Sequence, residues 1–142
     1  MSTTLSRSNR KINVLIVDDS LIVRERLVAI LDELAGIEIV GQAGNVAEAV
    51  NAVRKLQLDV MILDIRLPDG SALDILRNIK QAKAVPTIII LTNYPYPGYR
   101  QECLKAGADF FLDKSIEFDQ IPILLEQLKQ AKNPVTDDLG LR

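Results

Sequence analysis

Five short apolar runs, at residues 12–17, 37–40, 60–63, 86–91 and 108–112, recur along this chain, and the segments between them carry helical spacing. Continuous Val/Ile/Leu runs, without the alternation of a half-exposed strand, fit parallel strands buried on both faces. Parallel neighbours cannot be joined by hairpins, and right-handed crossovers through helices place a helical layer on each side of the sheet. The element order therefore predicts an α/β fold: a flavodoxin-like five-stranded parallel sheet of order 2-1-3-4-5 with helices on both faces.

Local signals set the expected boundaries. Ser20 caps a first helix in which Leu21, Leu27, Val28, Leu31 and Leu34 recur at helical spacing, and Gly36 ends it. A second helix is expected over 46–56, and Pro68-Asp69-Gly70 reads as a turn into a third over 72–79. A loop holding Tyr94, Pro95, Tyr96, Pro97 and Gly98 leads to a fourth helix over 99–105, closed by Gly107. Pro122 has no amide hydrogen, so it belongs in the first turn of the last helix, which then starts near Phe118 or Asp119 and runs to 129.

With 142 residues, 48% of them hydrophobic, the chain suits one domain with a real core. Residues 1–10 are Ser/Thr/Arg-rich and non-periodic and read as a flexible leader; 11–131 form the domain; 132–142 form a tail too short for an output domain. A net charge of −2 gives no basic footprint for nucleic acid, so no direct nucleic-acid partner is expected. One cysteine, no run of membrane-spanning length and no apolar signal core point to a cytoplasmic protein with no membrane partner. There is no histidine. That excludes a Ser/His/Asp triad, His-ligated zinc and an imidazole base, and any phosphohistidine in the chemistry must come from a partner.

Four of the five runs end in residues able to handle a phosphoryl group: Asp18 with Asp19, Asp64, Thr92 and Lys114. Ligands of open α/β sheets bind beyond the carboxyl ends of the strands, and order 2-1-3-4-5 places the crevice between strands one and three. Asp18, Asp19 and Asp64 would meet there and repel one another unless a cation offsets them or some take up protons. Magnesium suits carboxylates, waters and phosphate oxygens, whereas zinc would want His or Cys. A carboxylate can act as nucleophile and form an aspartyl-phosphate if a metal on one side and an ammonium or hydroxyl on the other neutralise the phosphoryl oxygens. Asp64, on the middle strand between the acidic pair and Thr92 with Lys114, is the central candidate.

In Val17-Asp18-Asp19-Ser20, Leu63-Asp64-Ile65-Arg66-Leu67-Pro68-Asp69-Gly70, Leu91-Thr92 and Asp113-Lys114, over residues 11–131, the chain resembles the receiver domain of two-component response regulators. The resemblance implies that Asp64 accepts phosphate from a histidine kinase, a phosphotransfer protein or a small acyl phosphate. It implies Mg2+ held by Asp19, Asp64 and the Arg66 carbonyl, with Asp18 acting mainly through water, and phosphoryl contacts from Thr92 and Lys114. Thr92 and Phe111 would form the switch that reshapes the surface of the fourth helix, fifth strand and fifth helix, read by a downstream protein target or by a second copy in a homodimer. Such a chain is a signalling switch limited to its own phosphotransfer and dephosphorylation. Three positions depart from the family pattern: Ser115 stands where a proline after a cis peptide is usual, Asn93 replaces a small residue, and Arg66 lies two after the acceptor. Two other classes compete. A phosphatase of the haloacid dehalogenase type needs a second acid where Arg66 stands, and an interaction module that is never phosphorylated would have no use for the intact Asp, Thr and Lys set.

Overall fold

A computed structural model describes residues 10–132 except 81 and 83, and in it the five apolar runs become β1 (Ile12–Val17), β2 (Ile37–Ala43), β3 (Val60–Leu63), β4 (Thr87–Thr92) and β5 (Phe110–Asp113). All neighbours are parallel, in the expected order β2-β1-β3-β4-β5. The crossovers run through α1 (Leu21–Asp32), α2 (Val46–Lys55), α3 (Ala72–Ile79) and α4 (Pro97–Lys105), and α5 (Gln120–Lys132) follows β5.

Side-chain alternation along the strands sorts the interior into two cores. Leu15, Val17, Met61, Leu63, Ile88, Ile90 and Phe111 face Ala49 of α2, Ile75, Leu76 and Ile79 of α3, and Cys103 of α4. Val14, Ile16, Val60, Ile62, Ile89, Leu91 and Leu112 face Leu27 and Leu31 of α1 and Ile121 and Leu125 of α5. Each fully buried aliphatic side chain contributes about 1.5–3 kcal/mol. Two full cores hold the sheet rigid and leave the strand ends as the place where polar groups can gather.

The boundaries differ from expectation where packing overrides local signals. β2 continues through Gly41 and Gln42 to Ala43, paired with Leu15, Ile16 and Val17 of β1, and a Cβ at Gly41 would lie only 3.1 and 3.2 Å from methyls of Leu56 and Leu15. The strand keeps a glycine so that these side chains can close over it. α4 begins at Pro97, two residues early, since proline at the first helical position gives up only an amide that has no intrahelical partner. β5 starts at Phe110; Asp109 before it accepts the Ile88 N–H on its carboxylate (2.8 Å) instead of extending the apolar run. Leu34 lies beyond the end of α1. Pro122 sits in the first turn of α5 as expected, and that helix runs three residues past 129.

Arg10, assigned from sequence to the leader, forms an ion pair with Asp59 at 3.6 Å. The rest of the leader, 1–9, and the tail from 133 onward lie outside the described residues. No helix among the described residues is long and apolar enough to cross a membrane.

Candidate functional site

The sheet register delivers the polar residues to one rim. Leu63 pairs with Val17 on one side and Ile90 on the other, so Asp18 and Asp64 both leave the sheet just past the same rung. Thr92 pairs with Asp113 across the β4/β5 edge, and the next amide, Lys114 N–H, donates to the Thr92 carbonyl at 2.8 Å. Residues from three strands, far apart in sequence, then converge. Lys114 Nζ reaches Asp18 Oδ2 at 2.7 Å and Asp64 Oδ2 at 3.0 Å, with all three side chains under a tenth exposed.

The second oxygens of both acids are also occupied. Asp18 Oδ1 accepts the Ser20 N–H (2.8 Å), and Asp64 Oδ1 accepts the Ile65 N–H (2.7 Å). Asp19 is exposed, yet it offers a carboxylate oxygen that lies with those of Asp18 and Asp64 in a group spanning no more than 4.8 Å. Thr92 is fully buried, and its hydroxyl oxygen accepts the Tyr94 N–H at 3.0 Å. Phe111 is already inside: its ring belongs to the core beneath α2, α3 and α4, so the inward turn implied by the resemblance has no exposed starting point in this structure.

Electrostatics follow from this burial. Desolvation pushes the Asp64 carboxyl above the usual carboxylate range, with the like charge of Asp18 adding to it, and Lys114 only partly reverses the effect. For Lys114 burial works against the charge, but the two carboxylates outweigh it and hold the ammonium above its ordinary value. One buried cation facing three carboxyl groups leaves the pocket rich in negative potential.

Two of the three positions that depart from the family pattern, Ser115 and Arg66, have side-chain partners. Ser115 donates its N–H (2.9 Å) and its hydroxyl (2.6 Å) to Asp113 Oδ1, closing the turn after Lys114, and no cis peptide occurs among the described residues. Asn93 is exposed. The Arg66 side chain points to tyrosines: its guanidinium lies 4.3 Å over the Tyr94 ring, and Nη2 donates to the Tyr99 hydroxyl at 3.3 Å.

Two supporting residues escaped the sequence reading. Arg24 Nη1 donates to the Asp18 carbonyl while its Nε donates to Gln42 Oε1 (3.2 Å), fixing the turn that presents the acidic pair. Asp69, read only as part of a turn, accepts the Val46 N–H (2.6 Å) and Ala47 N–H (3.0 Å). Asn45 takes the Glu48 N–H with its side chain and the Ala49 N–H with its carbonyl, so the four first amides of α2 are all satisfied. Asp69 thereby ties the loop after Asp64 to the start of α2. The Val46 amide, aided by that of Ala47, holds its carboxyl below the usual range. A lowered folded value means that the stabilisation is present above the unfolded pKa of about 3.9 and lost as pH falls through the folded one. Asp69→Ala is therefore expected to lower the urea midpoint at neutral pH, and this difference should close on acidification below about pH 4.

Comparison with known proteins agrees with this geometry. The sequence model of the response regulator receiver domain matches residues 14–126. The chain belongs to that family. It is 32% identical over 128 residues to the uncharacterized transcriptional regulatory protein YvfU of Bacillus subtilis, covering 90% of this chain and 64% of that one. It is 35% identical over 122 residues to a protein-glutamate methylesterase/protein-glutamine glutaminase of Alkalilimnicola ehrlichii, covering 84% of this chain and 30% of the other. The chain thus spans less than two thirds of the length of these curated relatives. Among solved structures, the response regulator domain of Thermotoga maritima CheB superposes with a TM-score of 0.75 at 35% identity, over 87% of this chain and 98% of that one. A chain of the CheX-CheY-BeF3-Mg complex from Borrelia burgdorferi superposes with a TM-score of 0.73 at 26% identity, over 86% and 89% respectively.

Proposed function

We propose that this chain is a phosphorylation-controlled signalling switch whose acceptor is Asp64. The observation that carries this reading is the single Lys114 ammonium shared by Asp18 and Asp64 at the mouth of the sheet. An Asp64 oxygen attacks the phosphorus of a partner's phosphohistidine or of a small acyl phosphate; the new P–O bond forms as the bond to the donor breaks, and the donor leaves with that electron pair. The resulting phosphoryl oxygens need positive or hydrogen-bonding partners. Lys114 supplies an ammonium already 3.0 Å from the carboxylate, and Thr92 supplies a hydroxyl proton.

The donor set fits magnesium. It is all oxygen and narrow enough for a small octahedral cation, the chain has no histidine, and Cys103 is buried in the core. Asp19, Asp64 and the Arg66 carbonyl would hold the ion, with Asp18 acting mainly through water, as the resemblance implies. Bound there, Mg2+ would neutralise phosphoryl charge together with Lys114. The Borrelia complex, one chain of which has this fold, contains Mg2+, which supports this choice.

A histidine kinase or phosphotransfer protein would be the donor, and the surface of α4, β5 and α5 would carry the signal to a protein target or a second copy. No turnover of a foreign substrate is expected, because Arg66 stands where an acid would be needed to assist hydrolysis. Incubation with acetyl phosphate and Mg2+ should add about 80 Da, the mass of one phosphoryl group. Peptide mapping should place it on Asp64, and label on any other residue would overturn the assignment.

A further inference from the structure

The edge of the sheet opposite the Asp64 rim, where the strands begin, holds a groove of about 950 Å3 bordered by the ends of α2 and α3. Its lining is largely apolar: Val50, Val53, Leu56 and Leu58 are half-buried along it, and Ile79 is buried. Charge gathers at its wall. Lys11 pairs there with Glu38 at 3.9 Å and Arg10 with Asp59 at 3.6 Å, whereas Arg54, in the last turn of α2, is exposed and has no ion-pair partner among the described residues. A concave apolar surface beside an uncommitted cation suits an acidic segment that also carries large apolar side chains.

A segment of that kind is attached nearby. α5 leaves β5 and returns toward this edge, and close to its end Lys129 Nζ donates to the Ala35 carbonyl at 2.8 Å, packed so tightly that a Cβ at Gly36 would lie 2.8 Å from Lys129 Cδ. The Gly36 carbonyl in turn accepts the Ile12 N–H at 2.8 Å, one residue from Lys11 in the groove wall. The residues after α5 therefore start beside one lip of the groove. We propose that the groove binds the chain's own segment Asp137-Asp138-Leu139-Gly140-Leu141, with Asp137 at Arg54 and with Leu139 and Leu141 on the apolar lining. In an extended segment alternate residues share a face, so Asp137, Leu139 and Leu141 present one side together, and Asp138 adds a second negative charge. Pro134 biases Asn133 away from helical backbone, which starts the segment in extended form. Fully extended, residues 133–142 reach about 35 Å, enough to round the start of β1, and tethering holds them at an effective concentration on the order of millimolar. Residues 1–9 lead to the same groove through Arg10, but their one charged side chain, Arg7, has the sign of Arg54. Docking of 137–141 joins the end of α5 to α2 and α3, and it does not depend on Asp64 accepting phosphate.

Cys103 is buried in the core, so brief labelling with a nitroxide marks a cysteine introduced by Arg142→Cys in the 142-residue chain. The amide signals of Val53, Arg54 and Leu58 should then lose most of their intensity, while those of Leu21 and Ile22 at the opposite end of the molecule keep theirs. Reducing the nitroxide should restore them. Adding Arg54→Glu, an exposed position outside the acidic pocket, should abolish the loss, as should Asp137→Lys together with Asp138→Lys. Combining all three substitutions reverses both charges and should bring the loss back. Full intensity at Val53, Arg54 and Leu58 beside the labelled Arg142→Cys chain overturns the proposal. So does a loss untouched by Arg54→Glu, or one that the combined charge reversal fails to recover. Mixing isotope-labelled chain that has no nitroxide with unlabelled chain that carries it should leave every signal intact, and loss there would assign the groove to a second copy instead. Loss at the same amides from a nitroxide on Ser2→Cys, with none from Arg142→Cys, would assign it to residues 1–9 and equally overturn the proposal.

Discussion

Asp64→Asn is expected to take up no phosphoryl group at all from acetyl phosphate and Mg2+, while folding at least as stably as the wild type without metal. The first half follows from the proposed chemistry: an amide oxygen is a poor nucleophile toward phosphorus, and Asp64 is the carboxylate on the middle strand, with Asp18 and Asp19 from β1 on one side and Thr92 and Lys114 on the other. The second half follows from the pKa direction. Burial holds the Asp64 carboxyl above its ordinary value, so folding disfavours its charged form. A raised folded value places the stabilising state below the unfolded pKa of about 3.9, and stability declines as pH rises through the window above it. At neutral pH an uncharged Asn removes that cost, and Lys114 keeps Asp18 as its partner. Intact mass and urea midpoints measured on the same preparations test both halves. Stabilisation by added Mg2+, which scales with RT ln(1 + [Mg2+]/Kd), should shrink in the variant because one ligand has lost its charge. Persistence of the mass gain would move the acceptor elsewhere.

Lys114→Met should have the opposite profile and the larger effect on folding. The ammonium is the shared partner of two buried carboxylates, and removing one member of a buried pair leaves uncompensated charge that costs about 3–5 kcal/mol. The methionine stem preserves packing, so the loss reports charge more than volume. Because the folded pKa of Lys114 is raised, its contribution is complete below the unfolded value of about 10.4 and disappears as pH rises through the folded one. The stability gap between wild type and variant should therefore be wide at pH 7 and narrow in strong alkali. Mg2+ should restore part of the lost stability by replacing the missing positive charge. Phosphoryl uptake should fall by about 100- to 1000-fold, the usual penalty for losing one preorganised charge at a developing oxyanion. Wild-type stability across the pH range would show that the ion pairs are not held in solution.

The features legible in the sequence are those that a strand writes locally. Each apolar run announces a buried strand, and the residue closing the run is by topology a residue at the rim, which makes Asp18, Asp64 and Thr92, with Lys114 one residue further on, legible as one group. Asp69 and Arg24 left no such trace, since their partners are 23, 22 and 18 residues away or are backbone groups that carry no sequence signature. The Arg66 side chain was read for its distance from Asp64, whereas its contacts are with tyrosines 28 and 33 positions further on. Gly41 and Gln42 break the apolar run of β2, and the strand continues because its backbone still pairs with Leu15, Ile16 and Val17 of β1, a partnership that leaves no local signal. Pro97 carried a helix-start signal that the neighbouring Pro95 and Gly98 made look like loop.

Lys114 arrives from β5, one of the two edge strands, hydrogen-bonded to a neighbour on one side only. Edges fray before centres do. When β5 peels, the acids on β1 and β3 stay where they are and lose their counter-charge, so the pocket can be disarmed with the rest of the molecule intact. The durability of the charge balance is set by the margin of the sheet, and whatever clasps that margin also steadies the pocket.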